Sequence, residues 1–507
     1  LAEGAPVWAD VTTTPDARIG PRCPYFERCF VTQARRLADK AELILVNHHL
    51  YFADRALRAA YPGARVLPEH DAVIFDEAHQ LEDVATTFFG STISSARVDS
   101  LARDARRVLS DDDAVLVRPV AEQLVEAGRA FFFALGRTFR GETRRALAPR
   151  DETPELAGAR AKLESALGAI AHDAQTKPGP AAEQIARRAL DLARVLGGAE
   201  REGEILWVES RASGPIMGRS PVFIGDILGE SLFARVGAVV CTSATLATPA
   251  APVVEGDEGE EHERSFDFLR ERLGVPRPAR ALAIPSPFDF ATRAGLYVPR
   301  DLPDPGDPRF DDAAAARALE LVEMTGGGAF VLCTSVRAMR AMHARLSRGA
   351  RSTWGPLLLQ GDRPKSLLLS QFRAAKHAVL VATMSFWEGV DVPGEALRLV
   401  VLDKIPFAVP SDPVVAARSE EVERRGMNAF YNYSVPAAAL ALKQGFGRLL
   451  RSETDAGLVA LLDRRALTKA YGRALLRVLP PARQLRTMDE TRSFWVQVRG
   501  EMIRGGP

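Results

Sequence analysis

Cysteine is scarce in this chain, and neither sign of charge dominates. Four cysteines in 507 residues cannot build a disulfide framework, and they point to a reducing cytoplasm. Cys241 and Cys333 fall inside apolar runs, where a thiol packs like a small hydrophobe. The formal net charge is +1, so nucleic-acid binding is not advertised globally. A basic channel beside acidic outer faces is compatible with that balance. No apolar run reaches the roughly 18 residues of a membrane-spanning helix. The N-terminus has no charged segment leading into an apolar core, so it does not read as a signal peptide. It begins at Leu1 rather than Met, as expected of a fragment. One further absence matters most. No stretch reads G-x-x-x-x-G-K-[ST], the loop whose backbone cradles nucleotide phosphates.

What is present is ordinary in bulk and informative in detail. Hydrophobic content of 47% and charged content of 26% suit a globular chain, and the length suits about three domains. Residues 1–41 start loop-like and turn helical from Phe30 to Asp39. Leu43 to Val46 and Ala72 to Phe75 are continuous apolar runs, which predict strands of a parallel sheet buried on both faces. Between 95 and 200 strands are predicted to vanish, and Ala, Arg, Glu and Leu recur at helical spacing. Strand-like sequence returns at Ile205 to Val208 and at Val236 to Cys241. From 276 to 507 strands and helices alternate, with strands predicted at Ala294 to Val298, Gly328 to Cys333, Ala378 to Val381 and Leu397 to Leu402. Alternation of this kind predicts an α/β, doubly wound parallel sheet.

Five places carry chemistry. The run Ala72 to Phe75 feeds directly into Asp76-Glu77-Ala78-His79, at a strand end, where open α/β sheets bind ligands. Asp76 there can hold magnesium through water, since that ion takes few carboxylates. Glu77 can polarise an attacking water as general base. His79 can relay the state of the site to a neighbour. Thr242-Ser243-Ala244-Thr245 follows another apolar run. Its hydroxyls can bond to His79, or can simply cap a turn. Thr334 and Ser335 close a third run. They suit contact with a nucleic-acid backbone, or helix capping, and the two are compatible.

The fourth place is Thr383 to Asp391. Gly389 allows a turn that sets Glu388 and Asp391 at a shared interface. Phe386 and Trp387 can stack on bases, at about 1–3 kcal/mol each, or pack in the core. Fifth, Gln444-Gly445-Phe446-Gly447-Arg448-Leu449-Leu450-Arg451 sets Arg448 and Arg451 three apart, on one face of a predicted helix. Paired guanidiniums can stabilise charge on a transferring γ-phosphate. Gly447 would let that helix approach closely.

These motifs resemble motifs II, III, V and VI of superfamily 2 helicases. The Asn47-His48-His49 block, the Trp387-Glu388-Gly389-Val390-Asp391 form of motif V and the stretch from Pro406 to Pro413 narrow the resemblance to the DinG/XPD-like group, in particular its bacterial DinG and YoaA helicases. It covers nearly the whole chain. It implies an ATP- and Mg2+-dependent motor moving along single-stranded or forked DNA, typically 5′ to 3′, in repair or replication, with replication or repair proteins as partners and no membrane. It also implies two RecA-like domains: an incomplete first one (42–94 and 201–275) interrupted by a helical arch (95–200), and a second (276–507). Catalysis would rest on Glu77, Arg448 and Arg451, metal on Asp76, and nucleotide coupling on His79, Gln444, Gly447, Glu388 and Asp391. DNA contact would fall to Thr334, Ser335, Thr383, Phe386 and Trp387.

Two departures from the group follow. Without a phosphate loop, this chain alone is expected to bind ATP weakly and to hydrolyse none. The group's 4Fe–4S cluster is held by four thiolates. Residues 1–41 offer Cys23 and Cys29, while Arg18 stands where another cysteine is expected, so that ligand set is not met. Other readings are a DinG-like motor without a cluster that serves a nuclease, and a non-catalytic nucleic-acid-binding scaffold. The retained Glu77, Arg448 and Arg451 argue against the scaffold, because a pure binder needs no hydrolysis set.

Overall fold

The structure is a computed structural model. It describes residues 23–61, 63–109, 114–139, 144–197, 202–211, 213–248, 265–349, 353–387, 390, 392, 394–447 and 449–504. Its first part opens with helices α1 (Phe30–Ala38) and α2 (His48–Ala60). Asn47 caps α2, its Oδ1 accepting the Leu50 N–H at 2.8 Å, a contact that satisfies one donor otherwise stranded at a helix start. Strand β1 (Ala72–Phe75) then leads through the acidic motif into α3 (Leu81–Phe89).

The run Leu43 to Val46 is not a strand, contrary to the sequence reading. Leu43 and Leu45 are 79% and 90% exposed. Apolar content permits a strand, but a strand also needs a neighbour for its N–H and C=O groups. Among the described residues, β1 and β6 (Ala238–Cys241) pair in parallel with each other alone.

An insertion separates β1 from β6. Strand β2 (Ser91–Ser94) and helices α4 (Ser95–Leu109) and α5 (Ala114–Thr138) come first. Strand β3 (Arg144–Ala146), helices α6 (Pro154–Thr176) and α7 (Pro180–Leu196), and strands β4 (Glu204–Arg211) and β5 (Gly214–Pro221) follow. The four strands form an antiparallel sheet ordered β2-β5-β4-β3. Apolar faces of the helices meet over Leu101, Leu124, Leu167 and Ile185. The expectation that strands vanish between 95 and 200 is therefore corrected at β3. Its Arg-Arg-Ala sequence carries no apolar alternation, and Arg144 stacks its guanidinium 4.3 Å from the Trp207 ring centroid instead.

After β6, helix α8 (Asp267–Leu273) closes the first part. The second part runs from β7 (Ala294–Tyr297) and α9 (Phe310–Thr325) through β8 (Ala329–Cys333), α10 (Val336–Leu346), β9 (Leu357–Leu359) and α11 (Lys365–Ala375). Then come β10 (Val379–Thr383), β11 (Leu399–Leu402), α12 (Pro413–Arg424), α13 (Val435–Gly447) and β12 (Gly457–Leu461). It ends with α14 (Ala470–Arg477), β13 (Arg483–Leu485) and α15 (Met488–Arg504). All seven strands are parallel, in the order β13-β7-β12-β11-β8-β10-β9. Helices cover both faces, with Phe330, Leu380 and Val400 in one core and Val331, Val381 and Val401 in the other. Successive side chains alternate between the two faces, which is why the strands read as unbroken apolar runs.

A buried ionic cluster joins the two parts. Arg418 of α12 reaches Glu82 (3.2 Å) and Thr86 Oγ1 (2.9 Å) on α3 and donates to the Val222 carbonyl (2.8 Å). Arg272 of α8 pairs with the same Glu82. Helix α3 begins two residues after His79, so this cluster ties the acidic motif mechanically to the second sheet.

Candidate nucleotide-hydrolysis site and nucleic-acid edge

The parallel pairing of β1 with β6 brings two strand ends side by side. The ladder continues past them: the Thr242 N–H donates to the Phe75 carbonyl (2.8 Å), and the Ala78 N–H to the Thr242 carbonyl (3.0 Å). Thr242 Oγ1 donates to Asp76 Oδ1 at 3.2 Å, and the Glu77 N–H donates to the same oxygen at 3.0 Å. Asp76 is exposed, and both of these bonds fall on Oδ1. One carboxylate oxygen at a strand edge fits magnesium, which keeps most of its waters.

Glu77 adopts φ 51° and ψ 46°, the left-handed region. For a residue with a Cβ this costs on the order of 1–2 kcal/mol and persists only where surroundings over-determine it. Here they do. Ser243 Oγ donates to Glu77 Oε2 at 3.0 Å. His79 Nδ1 lies 2.9 Å from Ser243 Oγ, 3.3 Å from Thr245 Oγ1 and 3.4 Å from Glu77 Oε2. Gln444 Nε2, on α13, lies 3.5 Å from Thr245 Oγ1. A continuous polar chain thus runs from the Glu77 carboxylate through Ser243, His79 and Thr245 to a helix of the second sheet.

His48 also belongs to this site, and the reading from sequence gave it no chemical role. Its ring packs edge-on against Phe75, centroids 5.9 Å apart. Burial, helped by the neighbouring His49, holds its pKa below the usual value, while a hydrogen bond donated to the Asp76 backbone carbonyl and the Asp76 and Glu77 charges pull the other way. The available signal was an Asn-His-His block directly after an apolar run.

Arg448, Glu388, Asp391 and Arg18 lie outside the described residues. Arg451 sits past the end of α13, in a bend, so the helix does not carry both arginines on one face as predicted. The Asp455 carboxylate organises this bend, accepting the N–H groups of Arg451 (2.8 Å) and Ser452 (2.9 Å). Arg451 Nη2 reaches the Val390 carbonyl at 3.4 Å, which ties motif VI to motif V. Gly447 is exposed, and a Cβ there would meet nothing within 4 Å. Close approach therefore does not require that glycine, because the helix ends at it.

On the second sheet, Thr334 and Ser335 follow β8. The Thr334 N–H and Oγ1 both face Asp403, at 3.0 and 3.4 Å, while exposed Ser335 caps α10 by accepting the Ala338 N–H at 3.1 Å. Thr383, at the end of β10, donates from its N–H (2.7 Å) and Oγ1 (3.0 Å) to Gln360 Oε1. Phe386 does not offer a stacking face. It is 5% exposed, packed in the core, with Lys365 Nζ 5.1 Å above its ring. An aromatic ring gains more from complete burial than from an edge position. The Trp387 side chain lies outside the described residues.

Cys23 and Cys29 lie in the turn before α1, while Cys241 and Cys333 lie in β6 and β8. Among the described residues no cluster of three or more His, Cys, Asp or Glu side chains could hold a metal. Cys23 and Cys29 by themselves fall short of the four thiolates of such a cluster. Among the described residues no helix is long and apolar enough to cross a membrane.

Comparison with known proteins agrees with this architecture. The DEAD_2 family matches residues 18–98, and the helicase C-terminal domain family matches residues 318–482. An XPD helicase structure superposes with a TM-score of 0.50 at 16% identity, covering 82% of this chain and 68% of that one. The fold is that of a superfamily 2 helicase of the XPD-like type, with RecA-like sheets and a helical insertion.

The similarity to curated proteins is more specific. The ATP-dependent DNA helicase YoaA of Escherichia coli K12 is 35% identical over 507 aligned residues, 97% of this chain and 75% of that protein. The ATP-dependent helicase DinG of Mycobacterium tuberculosis H37Rv is 32% identical, covering 96% and 71%. The chain belongs to this DinG/YoaA family of DNA helicases.

Proposed function

We propose that this chain forms most of an ATP-driven motor that moves 5′ to 3′ along single-stranded DNA, in repair or replication within the bacterial cytoplasm. The observation that carries the reading is the polar chain from Glu77 to Gln444, because a pure binding scaffold has no use for a general base wired to a second domain. Asp76 would hold Mg2+, which neutralises phosphate charge when bound. Glu77 accepts a proton from the attacking water, its carboxylate held by the Ser243 hydroxyl at 3.0 Å. His79 and Thr245 transmit the position of that carboxylate to α13. Arg448 and Arg451 offer guanidiniums to the charge that develops on the γ-phosphate.

The 507 residues hold no phosphate loop, so turnover is a property of the complete gene product. Glu77→Gln there keeps the side chain's size and removes its basicity. DNA-stimulated ATP turnover should fall by about 10²- to 10⁴-fold while single-strand binding persists. Unchanged turnover would reject the motor. Duplexes with a 5′ or a 3′ single-stranded tail test direction, and unwinding of the 3′-tailed duplex alone would reverse the assigned polarity.

A further inference from the structure

β12, β7 and β13 are adjacent and parallel, so the residues that follow them emerge side by side. Arg464 follows β12, Arg300 follows β7 and Arg486 follows β13. Helix α14 adds Arg473 and Arg477. These five arginines line one cavity of about 790 Å³ in a chain whose net charge is +1. Arg464 is held by Asp304 at 2.8 Å. Among the described residues, none of the other four has a carboxylate within 4.0 Å. Glu490 lies nearby, but its carboxylate accepts the backbone N–H groups of Arg486 (2.6 Å) and Thr487 (3.2 Å). Arg486 is braced by Gln484 Oε1 at 2.9 Å and by the Leu485 carbonyl at 3.4 Å. Burial, with the neighbouring Arg300 charge, holds its pKa below the ordinary guanidinium value. Crowded cations with few counter-charges disfavour the empty site, and a bound anion relieves that cost.

The cluster lies on the same sheet edge as Thr334 and Ser335. From β8 the order runs β11, β12, β7, β13, and neighbouring strands are about 4.8 Å apart. The arginines therefore begin about 10 Å from β8 and extend to about 19 Å from it. Lys404, which follows β11, stands in the gap, 3.6 Å from Asp311. A single phosphate could occupy only part of such a row, whereas a polyanion with evenly spaced charges matches all of it.

We propose that Arg300, Arg464, Arg473, Arg477 and Arg486 form a binding track for consecutive phosphates of single-stranded DNA, continuing the strand beyond Thr334 and Ser335. The proposal deepens the motor reading and rests on it. Guanidiniums suit this role because each presents a planar fork of donors to a phosphate, and such contacts carry no base preference.

The test is fluorescence anisotropy of the complete gene product with short and long oligothymidylates across a salt series. The double variant Arg300→Ala/Arg486→Ala should lose about tenfold in affinity for the long strand. Its salt slope should drop by about 1.4, at about 0.7 per phosphate contact on a single strand. Short strands that reach only the β8 edge should bind as before. Arg300→Lys/Arg486→Lys should keep most of the salt slope, and unchanged thermal melting excludes a folding defect. Wild-type affinity and slope in the alanine double variant would overturn the track. So would calorimetry showing that inorganic phosphate occupies the cavity and is not displaced by the long strand. Glu77→Gln separates the two readings: normal ATP turnover in that variant, with weakened long-strand binding in the arginine variant, rejects the motor and keeps the track.

Discussion

Gln444 Nε2 and Thr245 Oγ1, 3.5 Å apart, join the helix that precedes the arginine segment to the turn behind the acidic pair. The contact is long for a hydrogen bond, and under the proposed motor reading it should shorten when the two sheets close on nucleotide. Gln444→Ala and Thr245→Ala should each lower DNA-stimulated turnover about tenfold while leaving DNA binding intact, and the double variant should be little worse than either single one. Rates measured with and without oligonucleotide decide the matter. Multiplicative losses in the double variant would mean that the two residues act separately.

The cluster around Glu82 should be the mechanical pivot of that closure. Glu82 and Arg418 have side chains 6% and 3% exposed, and Glu82 serves Arg272 as well. The asymmetry sets an order of effects. Arg418→Met leaves Glu82 with one partner and should cost about 3 kcal/mol. Glu82→Leu leaves both Arg418 and Arg272 without their shared carboxylate and should cost more, toward about 5 kcal/mol. Urea unfolding of the three proteins gives the ranking, and the reverse order would show that Asp83, 3.6 Å from Arg418, is the dominant counter-charge.

The second sheet could be read from sequence because its strands are buried on both faces and carry no polar alternation. Local chemistry was legible for the same reason: Asp76 and Thr242 each follow an apolar run, and neighbouring strand ends have to meet. What escaped was non-local or partner-dependent. Leu43 to Val46 has the composition of a strand without a neighbour to pair with. β3 pairs through its backbone, and nothing in Arg144-Arg145-Ala146 signals it. Arg418 lies 332 positions from Thr86, a pairing that no local pattern encodes. Phe386 had two roles open from sequence, stacking on a base or packing in the core, and burial beneath Lys365 decides for the core against the DNA contact implied by the resemblance.

That correction has a measurable consequence. Phe386→Ala should remove a buried ring and cost about 3–5 kcal/mol of stability. Oligonucleotide affinity, expressed per folded molecule, should stay within about twofold of the parent, because a core ring contributes none of the 1–3 kcal/mol expected of a stacking partner. A variant that melts normally and binds DNA weakly would return Phe386 to the nucleic-acid edge.

Asp403 supplies a pH signature for the same edge. Burial pushes its carboxyl up to about 6, although Lys404 and the hydrogen bonds from Thr334 and Lys404 pull it down. In the unfolded chain the group titrates near about 3.9. Below that value the acid is protonated in both states and imposes no penalty. Between about pH 4 and 6 the folded protein binds more protons than the unfolded one, so stability falls as pH rises, by about 3 kcal/mol in all. Above about 6 the folded protein carries the full cost of a buried charge. Asp403→Asn keeps an oxygen able to accept the Thr334 N–H, now at 3.0 Å, and removes the charge. It should match the parent near pH 4 and exceed its stability at pH 7, with a flat profile between. Equal urea midpoints at both pH values would mean that Asp403 ionises as a solvated carboxylate. The pocket behind Thr334 would then have to open to water when the sheet edge is free of DNA.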